Sequence, residues 1–209
     1  MIDNINDIQI LTVNDDNHYL NNACDKVKSI EEGKEIANTL FQVLNRDGRG
    51  IGLAANQIGI HKQVCVVNVR EPLYFINPVI TPIESEGTFV YLETCLSMPM
   101  QVVRTERWKS IAVQADNIEG TVIYDITHIS QDDVMESNEA LEMAAIQHEI
   151  DHLKGLLMIH RKYNIKPIQV GRTIGRNDKI LIKKGNESKE IKYKSLEVYT
   201  NEGWIYEKI

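Results

Sequence analysis

Cysteine is scarce in this chain, with three among 209 residues. Cys24, Cys65 and Cys95 are odd in number and widely spaced, which argues against a disulfide framework and for a reducing compartment. The thiols are left free to act as ligands. Long apolar runs are missing too: no stretch approaches the roughly 20 apolar residues that a membrane-spanning helix needs. The N-terminus, MIDNINDIQILTVNDDNHYL, is acidic and rich in Asn. It has neither the basic start and apolar run of a signal peptide nor the arginines of a transit peptide. Neither an internal repeat nor a low-complexity segment occurs. These absences point to a globular protein of the cytoplasm without membrane contact.

What is present is divided by charge. Residues 1–160 carry 11 Lys/Arg against 24 Asp/Glu, a net of −13, whereas residues 161–209 carry 12 against 6, a net of +6. An acidic body followed by a basic tail places a boundary near residue 165.

Ser29-Ile30-Glu31-Glu32 reads as a capping box, and Ile36, Leu40, Val43 and Leu44 follow at helical spacing until "RDGRG" stops the run. One helix is therefore expected over about 30–47. Strand language follows in "QVCVVNV" (63–69), "FINPVI" (75–80), "TFVYLETC" (88–95), "SIAVQA" (110–115) and "TVIYDI" (121–126), with Pro72, Pro78, Pro82 and Pro99 at edges or turns. A second helix opens near Ser137 or Asn138 and ends at Lys154-Gly155. In the tail, "KILIKK" (179–184) and "SKEIKYKSLEVYT" (188–200) resume strand language. The order specifies an α+β fold of antiparallel sheets around the second helix, with a small C-terminal β extension.

That second helix carries "AAIQHEIDHLKG" (144–155). His148 and His152, four apart, share one face, with Glu149 beside the first. Two imidazoles and a carboxylate suit a divalent metal and a base acting on water. Histidines on a half-apolar face are also commonly hydrogen-bonded core residues, so the motif calls for a third ligand. Two other stretches bear on it. "GIGLAANQIG" (50–59) reads as a Gly- and Ala-rich turn ending in Gln57, whose amide can donate to an oxyanion. "LETCLSMP" (92–99) puts Cys95 at a strand end before a turn, where a lone cysteine is more often a small buried hydrophobe.

Together, Gly50-Ile51-Gly52-Leu53-Ala54-Ala55-Asn56-Gln57, Glu93-Thr94-Cys95-Leu96-Ser97 and His148-Glu149-Ile150-Asp151-His152-Leu153-Lys154-Gly155 resemble, in chain order, the three signatures of the peptide deformylase family. The resemblance covers roughly residues 8–163. It implies a catalytic domain over 1–165, with 166–209 as the basic extension. It also implies that Cys95, His148 and His152 hold one divalent ion per chain, Fe²⁺ first, with Zn²⁺, Ni²⁺ or Co²⁺ as others. The implied reaction is hydrolysis of the N-formyl group from the initiator methionine of new polypeptides. Glu149 is then the general acid/base, and Gln57 and the Leu96 backbone N–H hold the oxyanion. The methionine slot falls to Ile51, Leu141, Ala144, Ala145 and the His148 ring, with Tyr91 at its rim and Gly52 beside the peptide. Glu93 is given support from Arg104.

Departures from the family pattern stand at Thr94 and Met100, where glycine is common, and at Asn56. Two other readings compete. A zinc metallopeptidase shares H-E-x-x-H but needs a third ligand downstream, and "LKGLLMIHRKYNIKP" supplies none. A binding module that has lost catalysis would have lost Glu149, Gln57 or a ligand, and all are present. His18, His61, His128 and His160 have no partner spacing and read as surface or packing residues. The lysine-rich tail is either a candidate contact for ribosomal RNA or the solvated face of a hairpin packed by Ile180, Ile182, Ile191, Tyr193, Trp204 and Tyr206.

Overall fold

The structure, a computed structural model, describes residues 5–15, 19–163, 175–185 and 187–206. His18, together with Lys166 and Arg172 of the basic tail, lies outside them. The chain divides into two compact units, Met1–Tyr163 and Asn164–Ile209.

In the first unit, helix α1 spans Ile30–Asp47. The Ser29 hydroxyl accepts the Glu32 N–H at 3.1 Å. The Glu32 carboxylate reaches back one residue further than a capping box requires, to the Lys28 N–H at 3.2 Å. Gly48 ends the helix at φ 69°, a backbone region that favours glycine. Ser29→Ala is expected to lower stability by about 1 kcal/mol. An unchanged urea midpoint at unchanged m-value would remove the cap from this account.

Three antiparallel sheets follow. Strands β1 (Gly52–Ala54), β2 (Val64–Asn68) and β3 (Pro72–Ile76) form the first. Strands β4 (Val79–Pro82), β7 (Ser110–Gln114) and β8 (Val122–Asp125) form the second. Strands β5 (Thr88–Cys95) and β6 (Met98–Trp108) form the third. Helix α2, Asn138–Leu153, is capped by the Ser137 hydroxyl accepting the Ala140 N–H. The architecture is α+β with antiparallel sheets.

Strand β2 explains why its text reads as an unbroken apolar run. Val64 and Val66 join Leu40, Val43 and Leu44 of α1 in one core, whereas Cys65 and Val67 join Met143, Ala144 and Ile150 of α2 in another. Successive side chains of a strand point to opposite faces, so a strand packed by a helix on each side needs apolar residues at every position.

Three expectations are corrected. "FINPVI" is two strands, because Asn77 adopts φ 51°, a conformation that asparagine tolerates better than most residues. Its side-chain amide pairs with both the N–H and the C=O of Val27, at 2.8 and 3.0 Å. The turn sends β3 and β4 into different sheets. "GIGLAANQIG" is not a plain turn but strand β1 followed by a 3₁₀ turn at Ala55–Ile58. Strand β6 is not legible as a strand in the sequence, since its buried positions Thr105 and Arg107 are polar while Met100 and Val102 are exposed.

In the second unit, β9 (Lys179–Lys184) and β10 (Glu187–Lys192) pair as an antiparallel hairpin. The strand expected to continue to residue 200 instead becomes helix α3, Leu196–Asn201, after a 3₁₀ turn. Leu196 and Tyr199, three apart on one helix face, pack on Ile180, Ile182 and Ile191 with Trp204 and Tyr206, while Val198 is exposed. Apolar spacing of three instead of two sets the outcome.

Candidate metal centre

Helix α2 is buried on nearly every side, although half its length is polar. Such a helix needs a partner for each buried polar group, and the partners mark out the site. Glu142 accepts from Arg70 at 2.6 Å. Gln147 pairs with the N–H and C=O of Trp108 at 2.9 and 3.0 Å. Asp151 lies between Arg107 and Arg161. Two atoms are left over: Glu149 Oε2 and His152 Nδ1 are buried with no hydrogen-bond partner.

His148 and His152 stack one turn apart, their Nε2 atoms 3.1 Å from each other. Cys95 Sγ stands 3.3 Å from His152 Nε2. The three ligand atoms lie within 4.8 Å of one another, the one such group among the described residues. Bonds of about 2.1 Å to nitrogen and 2.3 Å to sulfur in a tetrahedral site would set ligand atoms about 3.4–3.6 Å apart. Two of the observed spacings, 3.1 and 3.3 Å, lie a few tenths of an ångström short of these values, so the group suits a divalent cation. Burial, with His148 next to it, holds His152 well below its ordinary pKa, leaving the neutral imidazole that ligates metals.

Strand β5 aims three residues at this point by simple alternation. Tyr91, Glu93 and Cys95 face inward and are buried, while Leu92 and Thr94 face out. Glu93 Oε2 lies 2.8 Å from His148 Nδ1, which fixes that ring and turns Nε2 toward Cys95. Burial alone would raise the Glu93 carboxyl, but hydrogen bonds from Arg107 and His148 outweigh it and hold it well below the usual range.

The support expected from Arg104 comes from Arg107. Arg107 Nε and Nη2 donate to the two Glu93 oxygens at 2.6 and 2.8 Å, and Nη1 to Asp151 Oδ2 at 2.5 Å. Thr105 Oγ1 adds a bond to Glu93 at 2.6 Å. Strand parity is the reason: Thr105 and Arg107 are buried, whereas Arg104, opposite Leu92, is on the exposed face. The alternating text "VRTERW" carried that signal.

Gln57 enters from the turn after β1. Its Oε1 accepts the Ala54 N–H at 2.8 Å, and its Nε2 donates to Ser97 Oγ at 3.0 Å and lies 3.9 Å from Cys95 Sγ. Asn56 donates to the His152 carbonyl at 2.6 Å, tying the same turn to the end of α2. A cleft of about 360 Å³ opens over these groups. Ile51, Gly52, Tyr91, Glu93, Leu96, Leu141, Ala144 and Ala145 line it together with Gln57, Cys95, His148 and Glu149. Of the residues singled out in the sequence, His152 lies beneath it and Arg104 is not among its walls. His128 pairs with Glu139 at 3.0 Å, His61 meets Tyr19 edge-on, and His160 accepts the Leu157 N–H, all away from the cleft.

Glu149 is the least neutralised group in the cleft. Burial raises its carboxyl to about 7. A Cβ on Gly52 would meet Glu149 Oε1 at 2.5 Å, so the glycine makes room for that carboxylate. Gly52→Ala is expected to displace Glu149 and reduce kcat by on the order of 10²-fold, with metal content unchanged. A kcat near wild type in the metal-replete variant would show that the carboxylate is not held by this contact.

The family model for polypeptide deformylase matches residues 8–168. The chain belongs to the peptide deformylase family. It is 35% identical over 153 residues to the peptide deformylase of Teredinibacter turnerae, covering 71% of this chain and 83% of that one. Among solved structures, the peptide deformylase of Thermotoga maritima superposes with a TM-score of 0.61 at 28% identity, over 75% of this chain and 98% of that one. That of Synechococcus elongatus, solved in complex with actinonin, does so with a TM-score of 0.61 at 27% identity, over 76% and 80%. The deformylase activity is metal-dependent removal of the N-formyl group from nascent peptides. No helix among the described residues is long and apolar enough to cross a membrane.

Proposed function

We propose that Cys95, His148 and His152 hold the divalent cation of this deformylase, with Fe²⁺ the first choice and Zn²⁺, Ni²⁺ or Co²⁺ able to replace it. The observation that carries the reading is the convergence of one thiol and two imidazole nitrogens beside a buried, unpartnered carboxylate oxygen. When bound, such a cation supplies Lewis acidity that makes water a nucleophile at neutral pH.

The chain's own groups do the rest. Glu149, whose buried Oε2 has no hydrogen-bond partner, takes the proton from water and hands it to the departing amine. Gln57, oriented by Ala54 and Ser97, and the Leu96 backbone N–H hold the oxyanion. The methionine side chain occupies the apolar part of the cleft formed by Ile51, Tyr91, Leu141, Ala144 and Ala145. The backbone of Ile51 and Gly52 runs beside the peptide as an added strand. Residues 1–165 form the catalytic domain around the H-E-x-x-H helix, and 166–209 the appended β unit. A substrate leaving the ribosome places the reaction in the cytoplasm.

Glu149→Ala is expected to keep its metal and lose on the order of 10²-fold or more in formate release from formyl-Met-Ala-Ser. Near-wild-type turnover in a metal-replete variant would remove the role. A metallopeptidase reading finds no support in the geometry, because the sulfur ligand lies upstream of the helix and the described residues offer no other metal-binding group.

The appended unit bears on ribosomal RNA as a partner. Lys183, Lys184, Lys189, Lys192 and Lys194 are exposed on its hairpin and the turn that follows, and the interior is apolar, an arrangement compatible with either a solubilising face or contact with phosphate. Salt-sensitive co-sedimentation with ribosomes, lost on deleting residues 168–209, is the result that favours contact.

A further inference from the structure

Met100 is unusual on three counts. It adopts φ 67°, a backbone region costly for a side chain with a Cβ. It is fully exposed at 102% of its reference area, so its thioether adds nothing to the core. It also lines the cleft over Cys95 and Glu149. Strain persists where function or surrounding structure demands it, and here packing of the side chain makes no such demand.

Its surroundings say what it meets. Leu92 (43% exposed), Leu96, Pro99 and Ile51 (36% exposed) line the cleft with it, and the exposed ones mark its mouth. Apolar surface at the mouth of a cleft marks a binding surface more often than a monomer's ordinary exterior. A flexible, polarisable methionine suits contact with varied apolar groups. Tyr91, Ala144 and Ala145, which also line the cleft, are buried and so mark its inner part. A peptide whose first side chain sits there must leave through the mouth.

On that reading of the site, we infer that Met100 is a specificity-determining residue: with Leu92 and Leu96 it receives a large apolar side chain from one of the two residues after the formyl-methionine. The preferred substrates are nascent chains that are apolar immediately after their first residue. Charged or small residues there forgo the contact.

The experiment compares kcat/KM for formyl-Met-Leu-Ser, formyl-Met-Ser-Leu and formyl-Met-Ser-Ser in the metal-loaded wild type and in Met100→Gly. Glycine relieves the backbone strain, so the variant should melt no lower than wild type. In wild type at least one leucine peptide should exceed the serine peptide by on the order of tenfold, the effect of partly burying one leucine, and the ratio should fall toward one in Met100→Gly. Titrating ¹³C-methyl-methionine protein with the better peptide should also shift the Met100 methyl signal, assigned by its absence from the variant. Formate release with equal ratios in both proteins, or an unmoved methyl signal, overturns the Met100 assignment and leaves deformylation standing. Absence of formate from every peptide overturns the reading of the site and the inference with it.

Discussion

Cys95→Ala is expected to lose its metal and at least on the order of 10³-fold in deformylation, because a bound cation contributes several kcal/mol to the barrier. The thiol is one of three ligand atoms gathered within 4.8 Å. Gln57 Nε2, 3.9 Å from the thiol, is an amide donor and not a ligand. Cys65→Ala is the control. That cysteine is fully buried in β2, and burial pushes its thiol well above the ordinary range, which keeps it a neutral packing group. Metal content and formate release should fall together in the first variant and survive in the second. Full metal content and turnover in Cys95→Ala would remove the sulfur ligand.

Arg107→Met is expected to destabilise the first unit by about 3–5 kcal/mol, the effect of leaving buried carboxylates without their cation. Glu93 and Asp151 are both buried and both bonded to this one guanidinium; Asp151 keeps Arg161, but among the described residues Glu93 bonds to no second arginine. The variant should also bind metal more weakly by about 10- to 100-fold, as loss of a group that orients a ligand commonly does, because the Glu93 carboxylate holds the His148 ring. The pH dependence has a fixed sign. The ion pairs depress both carboxyls, so their stabilisation is present at neutral pH and is lost as pH falls below the ordinary carboxylate range. Wild type should therefore lose more stability on acidification than Arg107→Met. Equal urea midpoints for the two proteins at pH 7 would contradict the argument.

The sequence disclosed the chemistry more readily than its supports. Helical spacing put His148, Glu149 and His152 on one buried face, and the ends of both long helices were marked by Ser29, Ser137, Gly48 and Gly155. Cys95 could not be joined to the histidines by spacing alone, since 52 positions intervene between it and His148; the link came from the resemblance. Arg104 comes from the resemblance alone, and without β6 recognised as a strand no parity in the sequence points to Arg107 instead. The break at Asn77 was hidden for a similar reason. Its left-handed turn is fixed by bonds to Val27, 50 residues away, which no local window contains. In the tail, α3 lost to strand language because Val198 and Tyr199 favour strands locally, whereas packing against Ile180 and Ile182 settles the matter.

The most direct test of the account is formate release from formyl-Met-Ala-Ser by protein loaded anaerobically with Fe²⁺, with bound metal measured in the same sample. One metal per chain, catalytic release of formate with appearance of the free methionine amine, and loss of both metal and activity on chelation are the expected results. A sample holding one metal per chain at Cys95, His148 and His152 that releases no formate would contradict it.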